Sequence, residues 1–200
     1  MFFRLLSRSS IIDIIFFGKR TLYHIYMIKR KIPFAHAKSI YDVDPAFFRK
    51  LGIKVILSDL DNTLDSVHTK TPSEKAKALA AMMEKEGIRF LIVSNNTGKR
   101  VKMYARELGV GAVCWMLKPF SFRLKRFLKR EGIKKEEVLL IGDQILTDVM
   151  AGNGAKIKTL LCDPLVPEDP PWTRFNRIFE RPIRRKLNER HLVKEWEELL

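Results

Sequence analysis

The sequence predicts an α/β fold: a doubly wound, parallel sheet of about five strands with helices packed on both faces. Short apolar runs alternate with stretches of helical periodicity, and each run is bounded by turn residues. The runs are apolar almost throughout, which is typical of strands buried on both faces of a sheet. The predicted strands are Lys54–Ser58, Phe90–Ser94, Ala112–Met116, Val138–Ile141 and Lys158–Cys162.

Capping and turn residues delimit the helices between these strands. The first helix has a clear start, because Thr71 can act as N-cap, Pro72 suits the first helical position and Glu74 completes a capping box. Each of the first three helical stretches ends at a glycine, as is common at helix C-termini. Strand one is expected to lie centrally, between strands two and four. The glycines are Gly87, Gly109 and Gly132.

The chain divides into three predicted regions that differ in composition. The first 40 residues hold eight Lys and Arg residues and a single acid, Asp13. Apolar residues lie on all sides of a helix over 1–30, so we expect this stretch to associate with a membrane; a presequence and a packed helix are the alternatives. The regions are a basic, apolar N-terminal extension (1–36), an α/β domain (37–165) and a basic C-terminal segment packed on that domain (166–200).

The C-terminal segment contains a helical stretch with two unlike sides, one apolar and one rich in arginine. Pro182 is expected to divide this stretch into two helices, because an interior proline removes a hydrogen bond and clashes with the preceding turn. We expect the apolar side to pack on the domain and leave the arginines in water; binding to anionic lipid is the alternative. The apolar side consists of Phe175, Ile178, Phe179, Ile183 and Leu187.

The chain is strongly basic: 38 Lys and Arg residues oppose 23 acidic ones, for a formal net charge of +15. Such a charge favours an anionic partner, which can be nucleic acid, a phospholipid surface or a phosphorylated substrate. No aromatic stacking platform is evident, so specific nucleic-acid binding is not expected. The cysteines and histidines lack zinc-site spacing, and no apolar run approaches the ~18–20 residues that span a bilayer.

Polar residues follow the predicted strands at their carboxyl ends, where open α/β sheets bind ligands. Carboxylates that meet there repel one another, and a hard cation such as Mg²⁺ relieves the repulsion. A carboxylate can attack phosphorus, while a hydroxyl, backbone amides and an ammonium group hold the phosphate oxygens. These residues are Asp59, Asp61 and Thr63 after strand one, Ser94 and Asn95 after strand two, Lys118 after strand three, and Asp143 and Asp148 after strand four.

The same segments contain motifs of a known superfamily. DLDNTL, SNN, KP and GDQILTD occur in this order and resemble the four motifs of the haloacid-dehalogenase (HAD) superfamily. KSIYDVDP before strand one and TRFNRIFER near the end resemble segments of the YqeG-type subclass IIIA phosphatases. The resemblance covers roughly residues 40–180 and implies a phosphatase with the predicted Rossmann-like fold. Similar eukaryotic proteins are phosphatidylglycerophosphate phosphatases.

The resemblance also implies a role for each motif residue. Asp59 would be the nucleophile, Asp61 the general acid and base, and Lys118 a catalytic lysine. The alternative for Asn95 is that it merely shapes the turn after strand two, since asparagine tolerates the left-handed backbone conformation. The implied substrate-binding residues are Ser94, Asn95 and Thr63. The implied Mg²⁺ ligands are Asp59, Asp143, Asp148 and Asp61, the last through its backbone carbonyl.

The expected reaction is Mg²⁺-dependent hydrolysis of a phosphomonoester through an aspartyl-phosphate. Only 35 positions separate Asp59 from Ser94, and 24 separate Ser94 from Lys118, so neither interval holds a cap domain. An uncapped site suits a substrate carried by a larger body, and the resemblance implies phosphatidylglycerophosphate, which would yield phosphatidylglycerol.

Two other functions remain as alternatives. One is a phosphatase of soluble metabolites or nucleic-acid ends, and the other is a non-catalytic binding module that keeps the fold. With a lipid substrate, the expected partners are the phosphorylated lipid and an anionic membrane surface. The expected location is then cytoplasmic and peripheral on the membrane, or the matrix side of the mitochondrial inner membrane in a eukaryote.

Overall fold

In the computed structural model we describe residues 28–96, 98–166 and 171–200, with 171–174 as backbone only. Most of the stretch predicted to associate with a membrane, 1–27, therefore lies outside the described residues. None of the helices within the described ranges combines the length and the apolar character that crossing a bilayer requires.

One parallel sheet organises the fold, and its strand order is β1-β6-β5-β2-β3-β4. The predicted α/β class is confirmed, with six strands where about five were expected. β2 pairs with β3 on one side and β5 on the other, as predicted for strand one. The strands are β1 (Ala35–Ala37), β2 (Val55–Ser58), β3 (Arg89–Val93), β4 (Gly111–Val113), β5 (Val138–Gly142) and β6 (Lys158–Cys162).

Two strands differ from the prediction. β1 was missed because three residues around His36 make no apolar run; it forms the sheet edge by pairing with β6. β4 is shorter than predicted and ends at Val113. Beyond it Trp115 and Leu117 have φ angles of 55° and 56°, and this left-handed backbone turns the chain away from the sheet before Lys118.

Six α-helices lie in the described ranges. The predicted N-cap Thr71 is wrong: Ser73 caps α2, and its hydroxyl oxygen accepts a 3.2 Å hydrogen bond from the amide of Ala76. The Asp65 carboxylate accepts from the Ser73 amide at 2.9 Å and holds Ser73 extended, so the helix begins at Glu74. The helices are α1 (Pro45–Lys50), α2 (Glu74–Lys85), α3 (Lys99–Leu108), α4 (Phe122–Arg130), α5 (Met150–Ala155) and α6 (Pro171–Glu189).

Alternate side chains of the strands supply the core on either side of the sheet. Ile56, Ile92 and Ile141 pack with residues of α1, α2 and α3. Leu57 and Leu140 belong to the opposite layer, which contains residues of α4 and α5. Both faces are thus covered, which explains why the strands are almost entirely apolar.

The helix α6 departs from the prediction in two respects. It is continuous through Pro182, which lies on the exposed side where water can reach the carbonyl oxygen that loses its donor. The expectation that the apolar side packs on the domain is wrong for the first half of the helix, because Phe175, Ile178 and Phe179 are exposed. Leu187, near the end of the helix, is buried as expected.

Candidate active site

The first and fourth predicted motifs meet in the middle of the sheet, at the carboxyl ends of β2 and β5. The amide of Asp59 donates a 2.8 Å hydrogen bond to the carbonyl of Ile141, which extends the pairing of the two strands by one residue. Asp143 follows β5 directly. The chain runs from β2 toward β4 in one direction and from β5 toward β6 in the other, so these acids lie at the switch point of the sheet.

A buried lysine joins two of the acids. Lys118 Nζ donates to Asp59 Oδ1 at 2.6 Å, to Asp148 Oδ1 at 2.5 Å and to the carbonyl of Val93 at 3.2 Å. Burial raises the pKa of Asp59 well above its usual value; the Lys118 ammonium opposes this, and neighbouring carboxylates add to it. Burial lowers the pKa of Lys118, but Asp148 and Asp59 raise it overall, so the ammonium stays charged.

The position of Lys118 is set by an asparagine on the neighbouring loop. Asn95 accepts a 2.7 Å hydrogen bond from the amide of Lys118 and donates a 2.9 Å bond to its carbonyl oxygen. Both ends of the Asn95 side chain are therefore engaged by backbone. This arrangement favours a positioning role for Asn95 over the predicted contact with substrate.

Asp143 is fully buried beneath the cleft and is held by side chains from two directions. Thr63 Oγ1 donates to Asp143 Oδ1 at 3.2 Å, so the hydroxyl of Thr63 faces this acid. Arg177 of α6 pairs with the other carboxylate oxygen, and both Arg177 and Arg184 donate to the backbone carbonyl of Asp143, at 2.8 and 2.6 Å. Burial raises the pKa of Asp143 to about 6, against the effect of Arg177.

Asp148 approaches the same cluster because Gly142 has no side chain. A Cβ at Gly142 would lie 2.2 Å from Cγ of Asp148, far inside van der Waals contact. The second carboxylate oxygen of Asp148 accepts from the Gln144 amide and the Thr147 hydroxyl, both at 3.2 Å. A π-helical turn, Ile145–Val149, carries Asp148 to this position.

Asp61 lies on the open side of the site, apart from the buried acids. Arg100 Nη1 donates to one of its carboxylate oxygens at 2.6 Å and Asn96 Nδ2 to the other at 2.8 Å. Arg100 also donates to the carbonyl oxygens of Ser66 and Thr69, at 3.4 and 3.2 Å. The carboxylate of Asp61 is thereby oriented above the cleft without being enclosed.

The cleft itself is small, with a volume of about 110 Å³. It brings together five of the predicted site residues; the other three, Thr63, Asp143 and Asp148, are buried and do not line it. Ser94 is buried at its wall, and its hydroxyl oxygen accepts a 3.1 Å hydrogen bond from the amide of Asn96. The predicted residues in the cleft lining are Asp59, Asp61, Ser94, Asn95 and Lys118.

The donor chemistry of the cluster fits a hard divalent cation. Oxygen ligands of the kind that Mg²⁺ prefers lie close together. Burial raises the pKa values of Asp59 and Asp143, so a bound divalent cation would favour the charged carboxylates that act as ligands. Within the described ranges, no three acidic, His or Cys side chains are arranged to hold a metal as they stand. To bind the cation, the Asp143 carboxylate would have to give up its ion pair with Arg177.

Several contacts of the site are not indicated by the sequence. Arg100 and Asn96 contact Asp61, while Arg177, Glu180 and Arg184 reach the site from α6. The segment TRFNRIFER, noted above for its family resemblance, contains Arg177 and Glu180 and was the available signal. Nothing in the spacing of the chain indicated that a helix 34 residues after Asp143 would cover it.

Comparison with known proteins decides the family. The probable phosphatase YqeG of Bacillus subtilis is 34% identical over 167 residues, which are 84% of this chain and 96% of that protein. The chain belongs to the YqeG-type phosphatases of the HAD superfamily. The HAD-hydrolase-like family model matches residues 116–163, which run from the segment before Lys118 to the end of β6. As a YqeG-type phosphatase, the protein is a HAD-type hydrolase of phosphate esters.

Other relatives of this YqeG-type phosphatase are more distant. Phosphatidylglycerophosphate phosphatase 1, chloroplastic/mitochondrial, from Arabidopsis thaliana is 24% identical over 180 residues; the match covers 82% of this chain and about half, 48%, of that protein. A cobalt-bound deoxy-D-mannose-octulosonate 8-phosphate phosphatase from Haemophilus influenzae is a structural neighbour at 18% identity, with a TM-score of 0.47 over 64% of this chain and 77% of that one.

Proposed function

We propose that this phosphatase hydrolyses a phosphomonoester through an aspartyl-phosphate on Asp59, with Mg²⁺, and that its substrate is phosphatidylglycerophosphate. The observation that carries the mechanism is the cluster at the switch point. There Lys118 contacts Asp59 and Asp148 at 2.6 and 2.5 Å, with Asp61 on the open side. A nucleophile, a fixed ammonium group and a second carboxylate then surround one small cleft.

In the first step, a carboxylate oxygen of Asp59 forms a bond to phosphorus while the ester P–O bond breaks. Asp61 gives its proton to the leaving oxygen. In the second step, water attacks phosphorus, Asp61 takes the proton of that water, and the bond to Asp59 breaks to release inorganic phosphate. General acid–base help of this kind contributes roughly 10²–10⁴-fold in rate.

Fixed donors stabilise the charge that develops on the phosphoryl oxygens. The Lys118 ammonium is already pointed at Asp59, and the hydroxyl of Ser94, which lines the same cleft, can donate its proton to a phosphoryl oxygen. Mg²⁺ would be held by Asp59, the carbonyl of Asp61, Asp143 and Asp148, and would supply further positive charge at the phosphoryl oxygens. Arg100 and Asn96 keep the Asp61 carboxylate beside the cleft for both proton transfers.

The lipid substrate is supported by the size of the cleft, by charge and by the Arabidopsis relative that bears this activity in its name. Sites that enclose whole small molecules have about 300–1,000 Å³. A cleft of about 110 Å³ therefore holds a phosphate while the rest of the molecule stays outside. The net charge of +15 favours a substrate embedded in an anionic surface.

The test is phosphate release from phosphatidylglycerophosphate in mixed micelles with Mg²⁺. Soluble phosphomonoesters and a 5′-phosphorylated oligonucleotide serve as competing substrates. Asp59→Asn is expected to fall to background, whereas the matched control Asp42→Asn, on an exposed turn outside the cleft, should retain full activity. Beryllium fluoride with Mg²⁺ should bind as a mimic of the aspartyl-phosphate only when Asp59 is present.

Each outcome decides one part of the proposal. Retention of more than a few per cent of activity by contaminant-free Asp59→Asn protein would exclude Asp59 as the nucleophile. Faster turnover of a soluble ester or of the oligonucleotide than of the lipid would assign the site to the corresponding alternative. Absence of turnover with every substrate, together with tight phosphate binding, would indicate a binding module.

A further inference from the structure

The outer face of α6 presents large apolar side chains to solvent. Phe175, Ile178 and Phe179 are 62%, 61% and 52% exposed, and the rings of the two phenylalanines meet edge to face with centroids 4.9 Å apart. Three exposed basic residues follow them along the helix. We define the α6 outer patch as Phe175, Ile178, Phe179, Arg181, Arg185 and Lys186.

The orientation of this patch is fixed by the opposite side of the helix. Arg177 and Arg184 donate to the carbonyl of Asp143 at 2.8 and 2.6 Å, and Glu180 accepts a 2.8 Å hydrogen bond from the amide of Leu146. Near the end of the helix, Leu187 is buried in a cluster that includes Leu161 of β6. Turning the helix to hide its aromatic residues would break all of these contacts, so the patch stays exposed.

The patch also lies at the rim of the catalytic cleft. Asn176 lines the cleft together with Asp59 and Lys118, and its side chain donates to Gln144 at 3.3 Å. Phe175 precedes Asn176 and Phe179 follows it by three residues, so both lie within one helical turn of a cleft residue. A surface that covers the patch would therefore approach the mouth of the cleft.

We propose that the α6 outer patch docks the protein on a bilayer rich in anionic phospholipid. Aromatic and aliphatic side chains beside Arg and Lys on one face are the pattern of helices that lie in the membrane interface. Charge complementarity selects the anionic bilayer: the patch contains Arg181, Arg185 and Lys186, and the chain carries a net charge of +15. Among the described residues, Glu189 is an exposed acid near the patch, and it pairs with Arg185 at 3.6 Å. A second copy is disfavoured because two identical basic patches would repel.

This inference extends the proposed function, but its test measures binding and not turnover, so either can fail alone. The full chain is mixed with vesicles of phosphatidylcholine containing or lacking phosphatidylglycerol, and bound protein is sedimented. The variant Phe175→Ser/Ile178→Ser/Phe179→Ser should bind anionic vesicles at least tenfold more weakly. Its matched control is Leu200→Ser, an exposed apolar residue outside the α6 outer patch, whose carbonyl oxygen accepts a hydrogen bond from Lys50 of α1.

The basic part of the patch has its own matched pair of variants. Arg181→Gln/Arg185→Gln/Lys186→Gln should weaken binding at low salt by about fivefold per charge, and less at high salt. The control neutralises three exposed lysines that lie ahead of β5, at the edge away from the cleft. It is Lys129→Gln/Lys134→Gln/Lys135→Gln, with the same change of net charge.

A depth probe separates this surface from any other membrane contact of the chain. Because the wild-type chain already has three tryptophans, fluorescence is measured as the difference from wild type. The single variant Phe179→Trp should add fluorescence that brominated phosphatidylglycerol vesicles quench. Leu200→Trp should gain fluorescence that the same vesicles leave unchanged.

Two results would overturn the proposal. One is equal binding of the serine variant and wild type together with no quenching of Phe179→Trp. The other is loss of binding only in the glutamine variant, with an oligonucleotide bound as tightly as the vesicles. That result would indicate a polyanion site and not a membrane surface.

Discussion

In α4, Leu124, Phe127 and Leu128 are buried in the core and the basic residues lie in water. In α6, the arrangement is reversed over the first three turns: Phe175 and Phe179 are exposed, while arginines and a glutamate face the domain. Both helices combine phenylalanine and aliphatic residues with several arginines, and both have one apolar and one basic side. Their own sequences therefore do not distinguish the two packings.

The surfaces that the two helices meet do distinguish them. α4 lies against the apolar layer of the sheet that contains Leu57 and Leu140. α6 crosses the end of β5, where the buried carboxylate and carbonyl of Asp143 and the amide of Leu146 require hydrogen-bond partners. Leaving such groups unpaired costs more than exposing two phenylalanines, so the polar side of α6 turns inward.

Truncation of one phenylalanine in each helix should give the largest contrast. Phe127→Ala removes a core side chain and is expected to lower the free energy of unfolding by about 3–5 kcal/mol. Phe179→Ala removes an exposed one and should cost less than about 1 kcal/mol, mainly the ring contact with Phe175. Urea unfolding of both variants measures the difference. Similar losses in the two would mean that the outer face of α6 is covered.

Neutralising one arginine in each helix should give a smaller difference in stability, and here the α6 variant should lose more than the α4 variant. Arg177→Gln leaves the buried Asp143 carboxylate without its ion pair and should cost about 3 kcal/mol. Arg126→Gln, on the exposed side of α4, should stay within about 0.5 kcal/mol.

Magnesium sharpens this arginine comparison. If Asp143 is a Mg²⁺ ligand as proposed, adding Mg²⁺ should stabilise Arg177→Gln more than wild type, because the cation replaces the missing guanidinium. The measurement is urea unfolding with and without MgCl₂. An Arg177→Gln protein as stable as Arg126→Gln in the absence of Mg²⁺ would contradict the inward orientation of α6.

The smallest expected effect concerns pH, because ion pairs hold the segment after α6. His36 of β1 pairs with Asp163 at 3.3 Å and with Glu195 at 2.8 Å, and Arg184 of α6 pairs with Asp163 at 3.2 Å. The Asp163 hydrogen bond raises the pKa of His36 above 6.5, and the same bond lowers that of Asp163 below 3.8. This stability is lost as pH rises through the first pKa or falls through the second.

The pairs should therefore contribute most between about pH 4 and pH 6.5. His36→Gln is expected to lower the free energy of unfolding by about 0.5–1 kcal/mol near pH 6, and by almost nothing near pH 9. Amide exchange should rise in the segment that follows α6 and stay unchanged in α4, which is anchored by its core residues. A pH-independent loss would show that His36 acts through packing alone.

The sequence by itself determined the fold class, the central position of β2 and the convergence of the motif segments. Apolar runs and helical periodicity are local signals, and the residues directly after parallel strands must meet at one edge of the sheet. That argument places Asp59 and Asp143, which directly follow the neighbouring strands β2 and β5, at the same edge. It could not find β1, whose three residues around His36 carry no periodic signal.

Only the tertiary structure decided how the polar residues divide their contacts. Asn95 holds the backbone of Lys118, and Thr63 faces Asp143 instead of the cleft. The orientation of α6 was decided in the same way. Which side of a helix turns inward depends on the groups it must satisfy, and the carbonyl of Asp143 that Arg177 reaches is 34 residues away in the chain. An amphipathic pattern describes a helix alone, whereas burial is a property of the pair of surfaces that meet.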